Sequence, residues 1–353
     1  MDQPMEAPGM EARPLEPGKA AGLEGSGWRN YLELTKPRVV ALMVFTVVVG
    51  MLLARPAPFD WAVVLAGSAG IGLVAGGAAA FNHLVDRHID ALMSRTRGRP
   101  LPRGLLDGRQ VALFATGLSV SGLGLLAATT NLACTLLTFV SLLGYAVIYS
   151  VVLKRRTAQN IVIGGAAGAA PPLLGWVAVT GQVEPGALLL FAIILLWTPP
   201  HFWALAIHRR ADYARAGVPM LPVTHGVEFT SRRILLYTLV LTAVSLLCAP
   251  VGLCGWLGEL GALLLGLRFT QYALRLRRDA RHAMPTFRFS IVYLAALFAL
   301  LLADRALVSC GPGAEASLAG VAMPPALCWS PGGASSYALV PSNGWNPMRG
   351  TGR

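Results

Sequence analysis

The chain has 353 residues, of which 55% are hydrophobic and only 13% charged, where a soluble domain carries about a quarter charged residues. That balance excludes a soluble globular enzyme and identifies an all-α, polytopic membrane protein. The net charge of +12 does not indicate nucleic acid, because the lysines and arginines are scattered between apolar runs and line no single soluble face.

The first 27 residues hold Glu6, Glu11, Glu16 and Glu24 among prolines and glycines, without an apolar core. They are neither a signal peptide nor an acid-poor transit peptide, and are expected to be a disordered N-terminus. Apolar runs long enough to cross a hydrocarbon layer then recur nine times, at roughly 39–54, 61–81, 110–128, 132–153, 161–179, 187–207, 234–253, 256–274 and 289–308. They predict a nine-helix bundle over 28–308. Basic residues crowd the N-terminus and every long loop, so the positive-inside rule places these in the cytoplasm and the C-terminus outside. The third to fifth spans are rich in small residues, with Gly164, Gly165, Gly168 and Gly175 in the fifth, which favours close helix contact. From 309 to 353 the chain is rich in Gly, Pro and Ser and is expected to be a mostly unstructured external tail. Cys134, Cys248, Cys254, Cys310 and Cys328 show no metal or disulfide spacing.

The organising stretch follows the second span, from Phe81 to Gly104, FNHLVDRHIDALMSRTRGRPLPRG. Asn82, Asp86 and Asp90 stand four residues apart, so a helix puts all three on one face. Carboxylates at the end of an apolar helix are costly without a cation between them. Magnesium suits them, since it accepts one or two carboxylates and takes its other ligands from water and phosphate. Arg87, Arg95, Arg97, Arg99 and Arg103 follow closely, and guanidinium groups bind phosphate. Together these residues describe a diphosphate site.

A second polar stretch follows the sixth span, HFWALAIHRRADYARAGVPMLPVTHG. If that helix continues past the membrane edge, His201, His208 and Asp212 share a face, and Asp212 is the candidate for completing the metal site. Lys36 and Arg38 open the first span, Tyr149 and Lys154–Arg156 close the fourth, and Asn160 begins the fifth. All are expected at the mouth that holds Asp86. A weak internal echo pairs RPLPRG after the second span with VPMLPVTHG after the sixth, in line with two repeated halves.

The Asn82, Asp86, Asp90 spacing with SRTRGRPLP after it resembles the intramembrane aromatic prenyltransferases of the UbiA superfamily. The stretches 31–48, 149–176, 198–207 and 212–223 are similar to the branch of that superfamily that farnesylates haem. The resemblance covers about 28–305. It implies a nine-helix bundle around a cavity open to lipid, Mg²⁺ as cofactor, farnesyl diphosphate as donor and the 2-vinyl group of haem b as acceptor, giving haem O. It makes the lipid bilayer, haem A synthase and terminal-oxidase assembly proteins the expected surroundings, with no nucleic acid.

On this reading Asn82, Asp86, Asp90 and Asp212 hold the metal and are catalytic. Lys36, Arg38, Arg95, Tyr149, Lys154 and Arg155 bind diphosphate, and His201 and His208 bind haem. The second stretch departs from the wider superfamily in having His208 where an acid often stands. The nearest alternative is another member of the superfamily, such as a 4-hydroxybenzoate polyprenyltransferase. A secondary transporter fits less well, because the acids crowd helix ends instead of a midplane. With no transit peptide visible, a bacterial inner membrane is the expected location.

Overall fold

The computed structural model describes residues 27–54, 58–92, 96–153 and 157–309, and every regular element among them is helical. In hydrocarbon each segment must satisfy its own backbone, which a helix does. The expected N-terminal and C-terminal tails lie outside the described residues, Gly27 and Ser309 apart. So do Arg95, Lys154 and Arg155.

A short helix, α1 (Gly27–Leu34), leaves Trp28 and Leu32 exposed. The chain turns at Lys36, whose φ of 51° is left-handed. The cause is local: Pro37 disfavours helical backbone in the residue before it. Proline then opens α2 (Pro37–Ala54) at the position where a missing N–H costs nothing.

Helix α3 (Trp61–Leu92) has 32 residues, about 48 Å at 1.5 Å per residue against a hydrocarbon layer of about 30 Å. The acidic stretch is therefore the continuation of an apolar helix beyond that layer. Helix α4 (Gly108–Thr129) begins with a capping box between Asp107 and Gln110. Helix α5 (Leu132–Leu143) runs without a break into a π-helix, Gly144–Leu153.

Helices α6 (Asn160–Thr180) and α7 (Pro185–His208) each contain an internal pair of prolines, Pro171–Pro172 and Pro199–Pro200. Two short helices follow, α8 (Arg210–Arg215) and α9 (Leu221–Thr224). The described residues end with α10 (Gly226–Ser245), prolonged by a 3-10 turn to Cys248, then α11 (Trp256–Arg278) and α12 (Ala283–Ser309).

Among the described residues eight segments are long and apolar enough to cross a membrane; this is a multi-pass membrane protein. The expectation of nine such spans is corrected at α11. That helix packs between α10 and α12 and has 23 residues, but Glu259, Arg268 and Gln271 make it less apolar than the other eight. The span expected at 234–253 starts earlier, at Gly226, where the ion pair of Glu228 with Arg232 carries the helix past its apolar part.

Close backbone contact joins α2 to α6 reciprocally. The carbonyl of Pro172 occupies the space that a Cβ on Gly50 would need, and the carbonyl of Val47 does the same at Gly175. A larger apolar core links α7, α10, α11 and α12 around Trp197, Phe269, Tyr293 and Phe298.

At one end of the bundle Asn131 caps α5 and donates to the carbonyls of Val177 (2.7 Å) and Ala178 (3.1 Å) at the end of α6. The N-terminus of α2, the C-terminal turns of α3 and of the π-helix, and the N-terminus of α6 consequently gather at the other end. The acidic motif sits there.

Candidate functional site

Asn82, Asp86 and Asp90 are buried along one face of α3, with 4%, 1% and 3% of their surfaces exposed. Groups this polar persist in such a place only when other polar groups meet them. Asn82 donates from Nδ2 to Asp86 Oδ2 (2.8 Å) and to Ser150 Oγ (3.3 Å). Its Oδ1 accepts from Lys36 Nζ at 2.7 Å. The amide is thus oriented by a cation on one side and a carboxylate on the other. The left-handed turn at Lys36 is what points that side chain back toward α3.

Asp90 is held differently. Its carboxylate pairs with Arg99 Nη1 at 2.6 Å, and its main-chain carbonyl accepts from Thr96 Oγ1 at 3.0 Å. Thr96 and Arg99 of the following loop therefore fold back over the last turn of α3. Lys36, Arg38, Arg99, His83 and Arg29 line a cavity of about 430 Å³ beside the acids.

The π-helix sets the third wall. Ser150 Oγ donates to the carbonyl of Tyr145 at 2.9 Å, the five-residue step of a π register. That register lets neighbouring residues both face inward, Ser150 toward Asn82 and Tyr149 onto Gly164, where its ring fills the space of a missing Cβ. Tyr145 stacks on Tyr149 with ring centroids 5.5 Å apart.

The second polar stretch lies close by without joining the acids. Helix α7 stops at His208, because Arg209 leaves helical geometry with φ −106° and ψ 24°. This overturns the continuous helix that would align His201, His208 and Asp212. Asp212 instead pairs with Arg215 (2.5 Å) and Arg209 (3.9 Å) of its own loop. A groove of about 230 Å³ separates Ala216–Val218 of that loop from His88, Ile89 and Leu92 at the end of α3. His208 is exposed at the helix end, while His201 is stacked between Trp197 and Phe287.

Among the sequence candidates, then, the structure gathers Lys36, Asn82, Asp86 and Asp90, with Arg38 and Tyr149 at the margin. Ser150, Thr96 and the pairing of Arg99 with Asp90 are additions. Only Arg99 had a signal in the sequence, as one of the arginine run.

No three acid, histidine or cysteine side chains among the described residues converge as a ready-made metal cage. Two buried carboxylates and an amide on one face fit a different mode of binding. They suit a hard cation that takes its remaining oxygens from a phosphorylated ligand and water.

Comparison with other proteins gives a consistent family. Residues 43–300 match the UbiA prenyltransferase family. The protoheme IX farnesyltransferase of Marinobacter nauticus is 57% identical over 299 residues, covering 84% of this chain and 98% of its own. Protoheme IX farnesyltransferase 1 of Pseudomonas putida strain GB-1 is 58% identical over 285 residues, covering 80% and 96%. Among solved structures, a digeranylgeranylglyceryl phosphate synthase superposes with a TM-score of 0.68 at 18% identity, covering 79% of this chain and 98% of that one. A UbiA homologue from Archaeoglobus fulgidus bound to DMAPP and Mg²⁺ superposes with a TM-score of 0.57 at 17% identity, covering 77% and 99%. The last two share the fold.

Proposed function

Because the chain belongs to the UbiA prenyltransferase family, we propose that it transfers farnesyl from farnesyl diphosphate to the 2-vinyl group of protohaem IX, with addition of water, to give haem O and diphosphate. The observation that carries this reading is identity of 57% along nearly the whole length of a protoheme IX farnesyltransferase. The donor's carbon–oxygen bond breaks, the terminal vinyl carbon bonds to the farnesyl carbon, and the cation left beside the porphyrin captures water and loses a proton.

Negative charge accumulates on the departing diphosphate, so catalysis lies in positive groups already in place. Lys36 is fixed by Asn82, and Arg38 and Arg99 line the adjoining cavity. Arg99 can exchange its carboxylate for a phosphate without leaving the pocket. Tyr149, and beyond the described residues Arg95, Lys154 and Arg155, complete the proposed diphosphate contacts. Asn82, Asp86 and Asp90 would hold Mg²⁺, with Asp212 a further ligand once its arginines turn to phosphate; when bound, the ion supplies Lewis acidity toward the diphosphate oxygens. The apolar bundle keeps water from the allylic cation.

The acid-bearing end is assigned to the cytoplasmic face of a bacterial inner membrane, where the basic loops fall. The product would then pass to haem A synthase or to a terminal oxidase during its assembly.

Purified protein supplied with farnesyl diphosphate, Mg²⁺ and either haem b or 4-hydroxybenzoate tests the reading by mass spectrometry of the products. Farnesylated, hydrated haem is expected with the first acceptor and no prenylated product with the second. Prenylation of the benzoate alone would refute the haem assignment. Gly164→Ala should act through Tyr149, whose ring it displaces. Turnover is expected to drop by roughly 10- to 100-fold, the scale of an ångström-size misplacement, alongside an overpacking cost of about 1–3 kcal/mol in stability. Unaltered turnover would remove Tyr149 from the site.

A further inference from the structure

His201 lies outside the acid cluster, in a setting more ordered than a helix-end histidine needs. Its ring stacks on Trp197 (centroids 4.2 Å apart) and Phe287 (4.6 Å), with Phe202 edge-on at 5.0 Å. Nδ1 lies 2.7 Å from Ser290 Oγ. Ser290 is fully buried on α12, and its backbone carbonyl accepts from Trp197 Nε1 at 2.7 Å.

The hydrogen-bond directions fix the tautomer. Ser290 has one hydroxyl proton, and it is given to the carbonyl of Phe287 at 2.6 Å. Its oxygen can therefore only accept from His201, so Nδ1 carries the imidazole proton. Nε2 is left as a lone-pair donor. It has no hydrogen-bond partner among the described residues, and His201 remains partly exposed despite the rings around it. A histidine whose far nitrogen is tied back by a hydrogen bond is the usual arrangement of a metal ligand.

Depth supports the same use. Ser150 bonds Asn82, the adjacent Tyr149 packs on Gly164, and the next residue, Gly165, packs on Thr198 of α7. His201 is three residues beyond Thr198, about 4.5 Å along the helix toward the acid-bearing end. It stands level with the acids, across the bundle from them.

We propose that His201 Nε2 is the axial ligand to the iron of the acceptor porphyrin, and that Ser290 is the positioning residue that keeps this nitrogen unprotonated. The proposal rests on the haem-acceptor reading. Ligation would present a face of the macrocycle to Nε2 and leave its pyrrole rim free to meet the donor carbon.

The test uses the full-length protein in detergent with ferric haem and no farnesyl diphosphate, followed by absorption, electron paramagnetic resonance and resonance Raman spectra. The wild type should give a nitrogen-ligated spectrum. His201→Ala should lose it and regain it on addition of free imidazole. Ser290→Ala should keep the ligand but bind haem about 10-fold more weakly, with a shifted iron–nitrogen stretch. A wild-type spectrum in His201→Ala overturns the assignment, whatever the transfer assay gives. Loss of that spectrum with imidazole rescue supports it even if no farnesyl is transferred, in which case the acceptor reading alone fails. Should His201→Ala not fold, an unchanged haem affinity and iron–nitrogen stretch in Ser290→Ala overturns the relay.

Discussion

Asp86→Ala is expected to lower farnesyl transfer by at least about 10²- to 10³-fold, the range lost when one preorganised group that stabilises transition-state charge is removed. The fold should survive. Asp86 is almost fully buried, and burying a carboxylate is a cost to the folded state. Its removal leaves Asn82 still bonded to Ser150 and Lys36. The comparison to make is haem O production against the amount of inserted, monodisperse protein. Near-normal production by well-folded Asp86→Ala protein would contradict the role given to this face of α3.

Gly175→Val should have the largest effect on stability. A side chain there meets the backbone of Val47 and forces α2 off α6, which also opens the mirror contact of Gly50 with Pro172. A flexible side chain could yield, but a helix carbonyl cannot without breaking its own ladder. Overpacking commonly costs about 1–3 kcal/mol, and this position should reach or exceed the top of that range. Gly175→Ala should be milder but still destabilising. Gly168→Ala, on the same helix with open space around it, is the control and should be neutral. Thermal unfolding in detergent measures all three, and equal midpoints for Gly175→Val and Gly168→Ala would contradict the packing described for α2 and α6.

Much of the architecture is written in the chain because hydrocarbon is an unforgiving solvent. Apolar runs mark the spans, and four-residue spacing puts Asn82, Asp86 and Asp90 on one face whatever packs against it. What periodicity could not reveal depends on departures from the ideal helix. Ser150 reaches Asn82 through a π register that nothing in GYAVIYSVVL announces. Lys36 reaches it through a left-handed turn ahead of Pro37. Asp212 looked aligned with His201 only while α7 was taken as unbroken. The halt at Arg209 and the local pull of Arg215 are tertiary and electrostatic facts that a helical wheel omits. The apolar run at 256–274 read as a further span, but Glu259 and Arg268, both exposed, leave α11 less apolar than the eight helices that qualify among the described residues.

The central claim is that the buried acids of α3 bind a divalent ion together with the diphosphate of the donor. The most direct measurement is electron paramagnetic resonance of Mn²⁺, substituted for Mg²⁺, titrated into the protein with and without an unreactive thio-analogue of farnesyl diphosphate. Tight Mn²⁺ binding is expected only when the analogue is present, and it should be lost in the Asp86→Asn, Asp90→Asn double variant. Mn²⁺ bound equally well by that variant, with the analogue present, would contradict the account.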